Sequence, residues 1–123
     1  LHAAYNDAQG VTAAFNLNLL HRINRELAGD FDVTAFEHRA HYAADTGRIE
    51  MHLVSRRSQS ATVAGRTFAF AAGETIHTEN SYKYTKEKIE MLAQRSNLEV
   101  RRHFTDERQW FDLALLAPSQ KRT

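Results

Sequence analysis

The chain has 123 residues, of which 42% are hydrophobic and 25% are charged, a composition ordinary for one globular domain with a single core. Its net charge of +1 gives no reason to expect nucleic acid or an anionic membrane as a partner. Cysteine is absent, which excludes disulfides and zinc–thiolate sites. No apolar run is long enough to span a bilayer, so we expect a cytoplasmic protein that does not enter membranes.

The first predicted element is a helix that runs to about Ala28, with Asp7 or Thr12 as its N-terminal cap. An apolar residue recurs at every fourth position of this helix, which predicts one apolar stripe on its surface. The stripe consists of Phe15, Leu19, Ile23 and Leu27, with Leu20 beside them. Gly29 is a natural C-terminal stop.

From Val33 the apolar period changes to two, which predicts strands. The expected strand faces are Phe36, His38, Ala40 and Tyr42 on a first strand and Ile49, Met51 and Leu53 on a second. A hairpin is predicted around Gly65-Arg66, and a further, polar strand within the stretch from Gly73 to Tyr84. The region from Val33 to about Ser81 is therefore predicted to be an antiparallel sheet with the first helix packed on one face.

The polar strand carries a carboxylate and a hydroxyl two residues apart, Glu79 and Ser81. Side chains two apart on a strand point the same way, so these two groups face one side together. The carboxylate can accept an imidazole N–H while the hydroxyl donates to or accepts from the second ring nitrogen. The alternative interpretation is a solvated edge strand that leads into a helix cap.

The last third of the chain predicts a helix and two strands. Thr85 caps a helix that buries Ile89, Leu92 and Ala93 and stops at Asn97. The strands follow at Val100–Phe104 and Trp110–Leu116. Since the second strand is apolar on nearly both faces, it is expected to be buried on both sides and to need more sheet beside it.

Two kinds of ligand site are not predicted by the sequence. Although the chain has seven histidines, His38 and His41 are neither two nor four apart, His52 stands alone, and His77 has no partner at ligand spacing. The sequence therefore predicts no metal site. The five glycines are scattered, and none forms the glycine-rich turn of a nucleotide-binding fold.

Three stretches resemble the histidine-specific, S-adenosylmethionine-dependent Nα-methyltransferases of ergothioneine biosynthesis, which trimethylate histidine to hercynine. These stretches are Tyr5 to Asn18, Arg48 to Ser55 and Glu74 to Tyr84. The similarity runs in order from Tyr5 to about Leu116, but it covers only the back portion of that family.

The resemblance implies an α/β fold that is locally α+β. Residues 1–82 are expected to be part of an inserted substrate (histidine)-binding domain, with an antiparallel sheet and a packed helix. Residues 83–117 would be the closing helix and β-hairpin of a Rossmann-like methyltransferase sheet, and residues 118–123 a tail. The resemblance further implies that S-adenosylmethionine is bound by the portion that precedes this chain in the family, so the isolated chain is expected to be inactive.

The resemblance also implies a substrate site for L-histidine. Glu79 and Ser81 match the pair that grips the imidazole ring, Met51 matches a residue that lines the imidazole pocket, and Tyr5 matches a tyrosine that helps to hold the amino-acid head group. Asn6, Phe15 and Asn16 lie in the matching stretches without an assigned role. No general base is nominated.

Two other hypotheses remain open at this stage. In the first, the chain is a non-catalytic module that binds histidine or a similar small ligand. In the second, it is a piece whose exposed last hairpin pairs with a companion chain or with a second copy. The first alternative predicts binding without turnover, and the second predicts an oligomer.

Overall fold

The computed structural model describes residues 2–120, of His2 only the backbone, and residues 121–123 of the expected tail lie outside the described range. The fold is mixed α/β with antiparallel sheets, which confirms the predicted class. The chain forms two compact units, one up to Tyr82 and one from Lys83 onward. Within the described range, no helix is both long and apolar enough to cross a membrane.

The first unit contains two helices and five strands, and the second contains one helix and two strands. In chain order these are α1 (His2–Tyr5), α2 (Val11–Glu26), β1 (Phe36–Ala43), β2 (Arg48–Ser55), β3 (Gln59–Val63), β4 (Arg66–Phe70), β5 (Thr75–Tyr82), α3 (Lys86–Arg95), β6 (Leu98–Thr105) and β7 (Asp112–Pro118). A 3₁₀ turn at Val33–Ala35 leads into β1.

The strands of the first unit form two sheets and not the single sheet that the sequence predicted. One sheet has the order β1-β2-β5, and the hairpin of β3 and β4 forms a second, two-stranded sheet. The turn of this hairpin is Ala64-Gly65, one residue earlier than predicted, and both of its residues have positive φ. That is the geometry of a tight two-residue turn, whose twist matches the flanking strands.

The core of the first unit lies on the face of the three-stranded sheet that the alternating pattern predicted. Leu53 of β2 packs with Phe36 of β1 and Leu20 of α2, and Phe31 and Phe70 pack around them. The rings of Phe31 and Phe70 meet Phe36 at centroid distances of 5.7 and 5.5 Å, the first edge-on and the second nearly perpendicular. A neighbouring cluster on the same face consists of Ala40, Ile49 and Met51, with Tyr5 packed against it.

Helix α2 begins as predicted but buries a different face. The Asp7 carboxylate accepts hydrogen bonds from the backbone N–H groups of Val11 and Thr12, at 3.0 and 3.1 Å, which caps the helix. These two hydrogen bonds lower the pKa of Asp7. However, Phe15 is 68% exposed, whereas Leu20 is 1% exposed. The four-residue stripe is therefore not the core face, because α2 rests on the sheet through Asn16 and Leu20.

The second unit confirms its predicted elements but not their burial. Thr85 Oγ accepts from the Lys88 N–H at 3.2 Å and caps α3, and Asn97 ends the helix region with a positive φ of 57°. Ala93 is buried as predicted, whereas Leu92 is 53% exposed. Strands β6 and β7 pair antiparallel. Within this unit, β7 and the residues before it are largely exposed, and Trp110 reaches 72%.

A pair of leucine substitutions tests which face of α2 is the core face. We expect Leu20→Ala to lower the free energy of unfolding by about 2–5 kcal/mol, because it opens a cavity between Phe36 and Leu53. Leu19→Ala should cost about 1 kcal/mol or less, because this neighbouring leucine is 40% exposed. Urea unfolding followed by circular dichroism measures both. Equal losses would contradict this assignment of the core face.

Candidate functional site

The site is organised by one extra residue in strand β5. Met51 of β2 pairs with Glu79, but its neighbour His52 pairs with His77, so Thr78 has no partner of its own. Such a β-bulge changes the side-chain alternation of the strand at that point. Ile76 faces the core before the bulge, and Glu79 and Ser81 face the same side after it. Without the extra residue, these last two side chains would point to the opposite face.

Asn16 of α2 holds the bulge in place. Its carboxamide oxygen accepts a hydrogen bond from Thr78 Oγ1 at 2.7 Å. Its nitrogen Nδ2 donates to the His52 carbonyl at 3.1 Å and contacts His38 Nδ1 at 2.9 Å. Since the His52 carbonyl can only accept, the orientation of the Asn16 amide is fixed. The side chain of Asn16 is 3% exposed, so all these hydrogen bonds form away from water.

The same network continues to Tyr5. His38 Nδ1 accepts from Asn16, so the other ring nitrogen, Nε2, donates to the Tyr5 carbonyl at 2.7 Å. Asn6 adds a second anchor, because its amide hydrogen-bonds to both backbone groups of Ala40, at 2.8 and 3.3 Å. The Tyr5 hydroxyl then lies 3.0 Å from Ser81 Oγ. The end of α1 is thus fixed against β1 and β5.

An open cavity of about 230 Å³ lies beside the bulge. Its lining comes from α2, β2 and β5: Phe15, Asn16, Asn18, Leu19, Arg22, Met51, Thr78 and Glu79. This volume is below the range of about 300–1,000 Å³ that is typical of pockets for drug-sized ligands, and it suits a small group. Two exposed residues of the apolar stripe, Phe15 and Leu19, are among these lining residues.

The structure brings the four predicted site residues to one side of the sheet, in two adjacent pairs. Met51 and Glu79 are paired across β2 and β5 and line the cavity together. Ser81 is the next residue of β5 on that face, about 6.7 Å further along the strand. Its hydroxyl contacts Tyr5, and neither Ser81 nor Tyr5 is among the residues that line the cavity.

The chemistry of the site fits a small ring with hydrogen-bonding nitrogens. Among residues 2–120, the Glu79 carboxylate has no hydrogen-bond or ion-pair partner, so it is available to a ligand. Met51 is 2% exposed and presents an apolar floor. A carboxylate and a hydroxyl on one strand face, above a thioether, can bind both nitrogens of an imidazole and pack against its ring.

The strand pairs within residues 2–120 are all antiparallel. None of the glycines in this range lies in a turn that leads from a strand into a helix.

The opposite face of the same sheet carries a polar cluster that the sequence did not predict. We call His41, Glu50, His52 and His77 the outer cluster. Glu50 pairs with His41 across β1 and β2, and the rings of His52 and His77 stack at 4.4 Å. Spacing along the sequence could not reveal this group, because its members come from three strands whose register is set by the fold.

Comparison with known proteins identifies the class to which this fold and site belong. Residues 1–118 match the family described as histidine-specific methyltransferase, SAM-dependent. The match covers most of the chain, and the chain belongs to this family.

Two curated relatives agree with this assignment, and both are named histidine N-alpha-methyltransferase. The one from Mycolicibacterium smegmatis is 45% identical over 114 residues, which is 91% of this chain and 36% of the relative. The one from Mycobacterium tuberculosis is 42% identical over 116 residues, which is 93% of this chain and again 36% of the relative. The chain therefore spans about a third of the length of these relatives.

The amide that holds the bulge gives a direct test of the site's architecture. Asn16→Ala should lower the free energy of unfolding by about 2 kcal/mol, because the partly buried Thr78, His38 and His52 groups lose their buried partner. Asn18→Ala is the matched control, since Asn18 is exposed on the same helix and should change stability by less than about 0.5 kcal/mol. Thermal unfolding of both variants measures these changes in stability. If Asn16→Ala is as stable as the wild type, the bulge does not need this amide.

Proposed function

We propose that this chain carries the imidazole-binding part of an L-histidine Nα-methyltransferase. The complete protein would transfer methyl groups from S-adenosylmethionine to the α-amino group of histidine and yield hercynine for ergothioneine biosynthesis. The observation that carries the proposal is the placement of Met51, Glu79 and Ser81 on one sheet face, where Met51 and Glu79 line a small cavity. Family membership and the names of the two relatives support the choice of histidine.

The proposed role of these residues is to orient the substrate. Glu79 accepts a hydrogen bond from the imidazole N–H, Ser81 hydrogen-bonds to the other ring nitrogen, and Met51 packs against the ring. The Tyr5 hydroxyl hydrogen-bonds to Ser81 Oγ. The position of Tyr5 at the end of α1 suits the predicted contact with the amino-acid head group. Holding a neutral amine in line with a methyl donor lowers the barrier through orientation, which supplies several kcal/mol in favourable cases.

The remaining parts of the reaction are proposed to reside in the rest of the protein. The described residues lack a nucleotide-binding turn, so S-adenosylmethionine would be bound by a portion outside this chain, and the isolated chain would bind histidine without methylating it. Strand β7 supports such a companion portion, because its exposed leucines need further apolar surface to pack against: Leu113, Leu115 and Leu116. A cytoplasmic location remains part of this proposal.

A second candidate function is a histidine-binding module without catalysis. It is favoured by the same missing nucleotide site. Methyl transfer by the complete protein separates the two functions, because a binding module would show histidine affinity and no turnover under any conditions.

Isothermal titration of histidine tests the proposed pocket. Glu79→Gln should weaken histidine binding by about 10- to 100-fold, because a hydrogen bond to a charged group contributes about 1.5–3 kcal/mol. Glu37→Gln is the matched control, since Glu37 lies on the opposite face of the sheet and should not alter affinity. Phenylalanine has a ring without nitrogens, so its affinity should be the same for the wild type and for the Glu79 variant. An unchanged histidine affinity in Glu79→Gln would show that Glu79 does not bind the imidazole ring.

If the 123-residue chain shows no histidine affinity, the same variants are measured in the longer protein. There the Glu79 variant should raise the KM for histidine more than it lowers kcat, because the contact positions the ring and does not take part in bond making. Equal KM values for the variant and the wild type would contradict the proposal.

A further inference from the structure

The outer cluster lies on the face of the three-stranded sheet that points away from α2. Glu50 is at its centre. Arg48 donates to Glu50 Oε1 through two nitrogens, at 2.6 and 3.1 Å. His41 Nε2 and His52 Nε2 approach the second oxygen, Oε2, at 3.0 and 3.3 Å. One carboxylate oxygen is thus committed to a guanidinium, and the other is shared by two imidazoles.

The three groups around Oε2 have the composition of a metal site. One ligand atom from each of His41, Glu50 and His52 lies within 4.8 Å of the others. Two imidazoles and one carboxylate are a set that binds zinc in proteins, with a fourth position left to water. Adjacent ligands of a tetrahedral zinc lie about 3.3–3.6 Å apart, given metal–ligand distances of about 2.0–2.2 Å. The nitrogen-to-oxygen distances are already close to this range.

The orientation of the Glu50 carboxylate also suits a metal ion. Arg48 opposes a second positive charge nearby, but its two hydrogen bonds to Oε1 hold the carboxylate with Oε2 facing the two imidazoles. Ligating carboxylates are commonly held by such outer hydrogen bonds.

For a metal ion to enter, Glu50 Oε2 has to exchange its contacts with His41 and His52, whose rings stack at 5.3 Å, for contacts with the ion. The His52 ring makes one hydrogen bond of 3.3 Å to Glu50, and its Nδ1 is a buried atom without a hydrogen-bond partner among the described residues. The side chain of His41 is 48% exposed, which provides a path for the ion. His77 stacks on the His52 ring and contacts Asn80 Oδ1 at 2.6 Å, so it supports the cluster without competing for Oε2.

We propose that His41, Glu50 and His52 form a binding site for a divalent transition-metal ion, with zinc as the best match. The site is separate from the cavity at Glu79, because the two lie on opposite faces of the sheet. Imidazole ligands select zinc, nickel and copper over magnesium and calcium. The proposal does not depend on the proposed function.

Titration of zinc chloride into the 123-residue chain at pH 7.5, followed by calorimetry, tests the site. We expect one bound ion per chain, and at least a tenfold loss of affinity in His41→Ala and in His52→Ala. His21→Ala is the control, because His21 is exposed on α2 and should leave affinity unchanged. Magnesium chloride should give no binding.

The imidazole NMR signals provide a second measurement that does not require a variant. Zinc should shift the signals of His41 and His52 and leave that of His21 in place. If His52→Ala fails to fold, the exposed His41 variant still tests the site. An absence of zinc binding, or equal affinity in His41→Ala and the wild type, would overturn the proposal.

Discussion

The position of one extra residue in β5 determines which side chains lie on each face of the three-stranded sheet. A strand alternates its side chains strictly, so a sequence with Ile76 in the core would place Thr78, Asn80 and Tyr82 on that same side. The bulge at Thr78 shifts this alternation by one residue. Glu79 and Ser81 then reach the core side, next to Met51, and Asn80 moves to the outer face.

The bulge is stable because its unpaired residue finds other partners. Thr78 Oγ1 lies 2.7 Å from Asn16 Oδ1 and 3.0 Å from the Met51 carbonyl, so a hydroxyl replaces part of the interrupted ladder. A buried asparagine is costly unless its hydrogen bonds are made, and here both ends of the amide are used. This arrangement explains why α2 packs through Asn16 and Leu20. The cost of burying an amide is offset by the hydrogen bonds that fix the strand register.

The sequence predicted the strands, the helices α2 and α3, and the shared face of Glu79 and Ser81 because each depends on local spacing. It did not predict the bulge, since nothing in the residues around Thr78 marks an extra position. It also assigned the wrong face of α2 to the core: Phe15 and Leu19 are as apolar as a core stripe but line an open cavity. Binary patterning cannot distinguish a wall of a pocket from a core, and it counts Asn16 as polar although the residue is buried.

The same limit explains why the outer cluster and the exposure of the last strand were not predicted. His41, Glu50 and His52 meet only because β1 and β2 pair in one register, and a shift of one residue would separate them. For Leu113 and Leu115 the sequence predicted burial, because both side chains are apolar. Both residues are exposed in the structure of the second unit. A strand that is apolar on both faces and yet exposed has the composition of a strand that is usually covered on both sides.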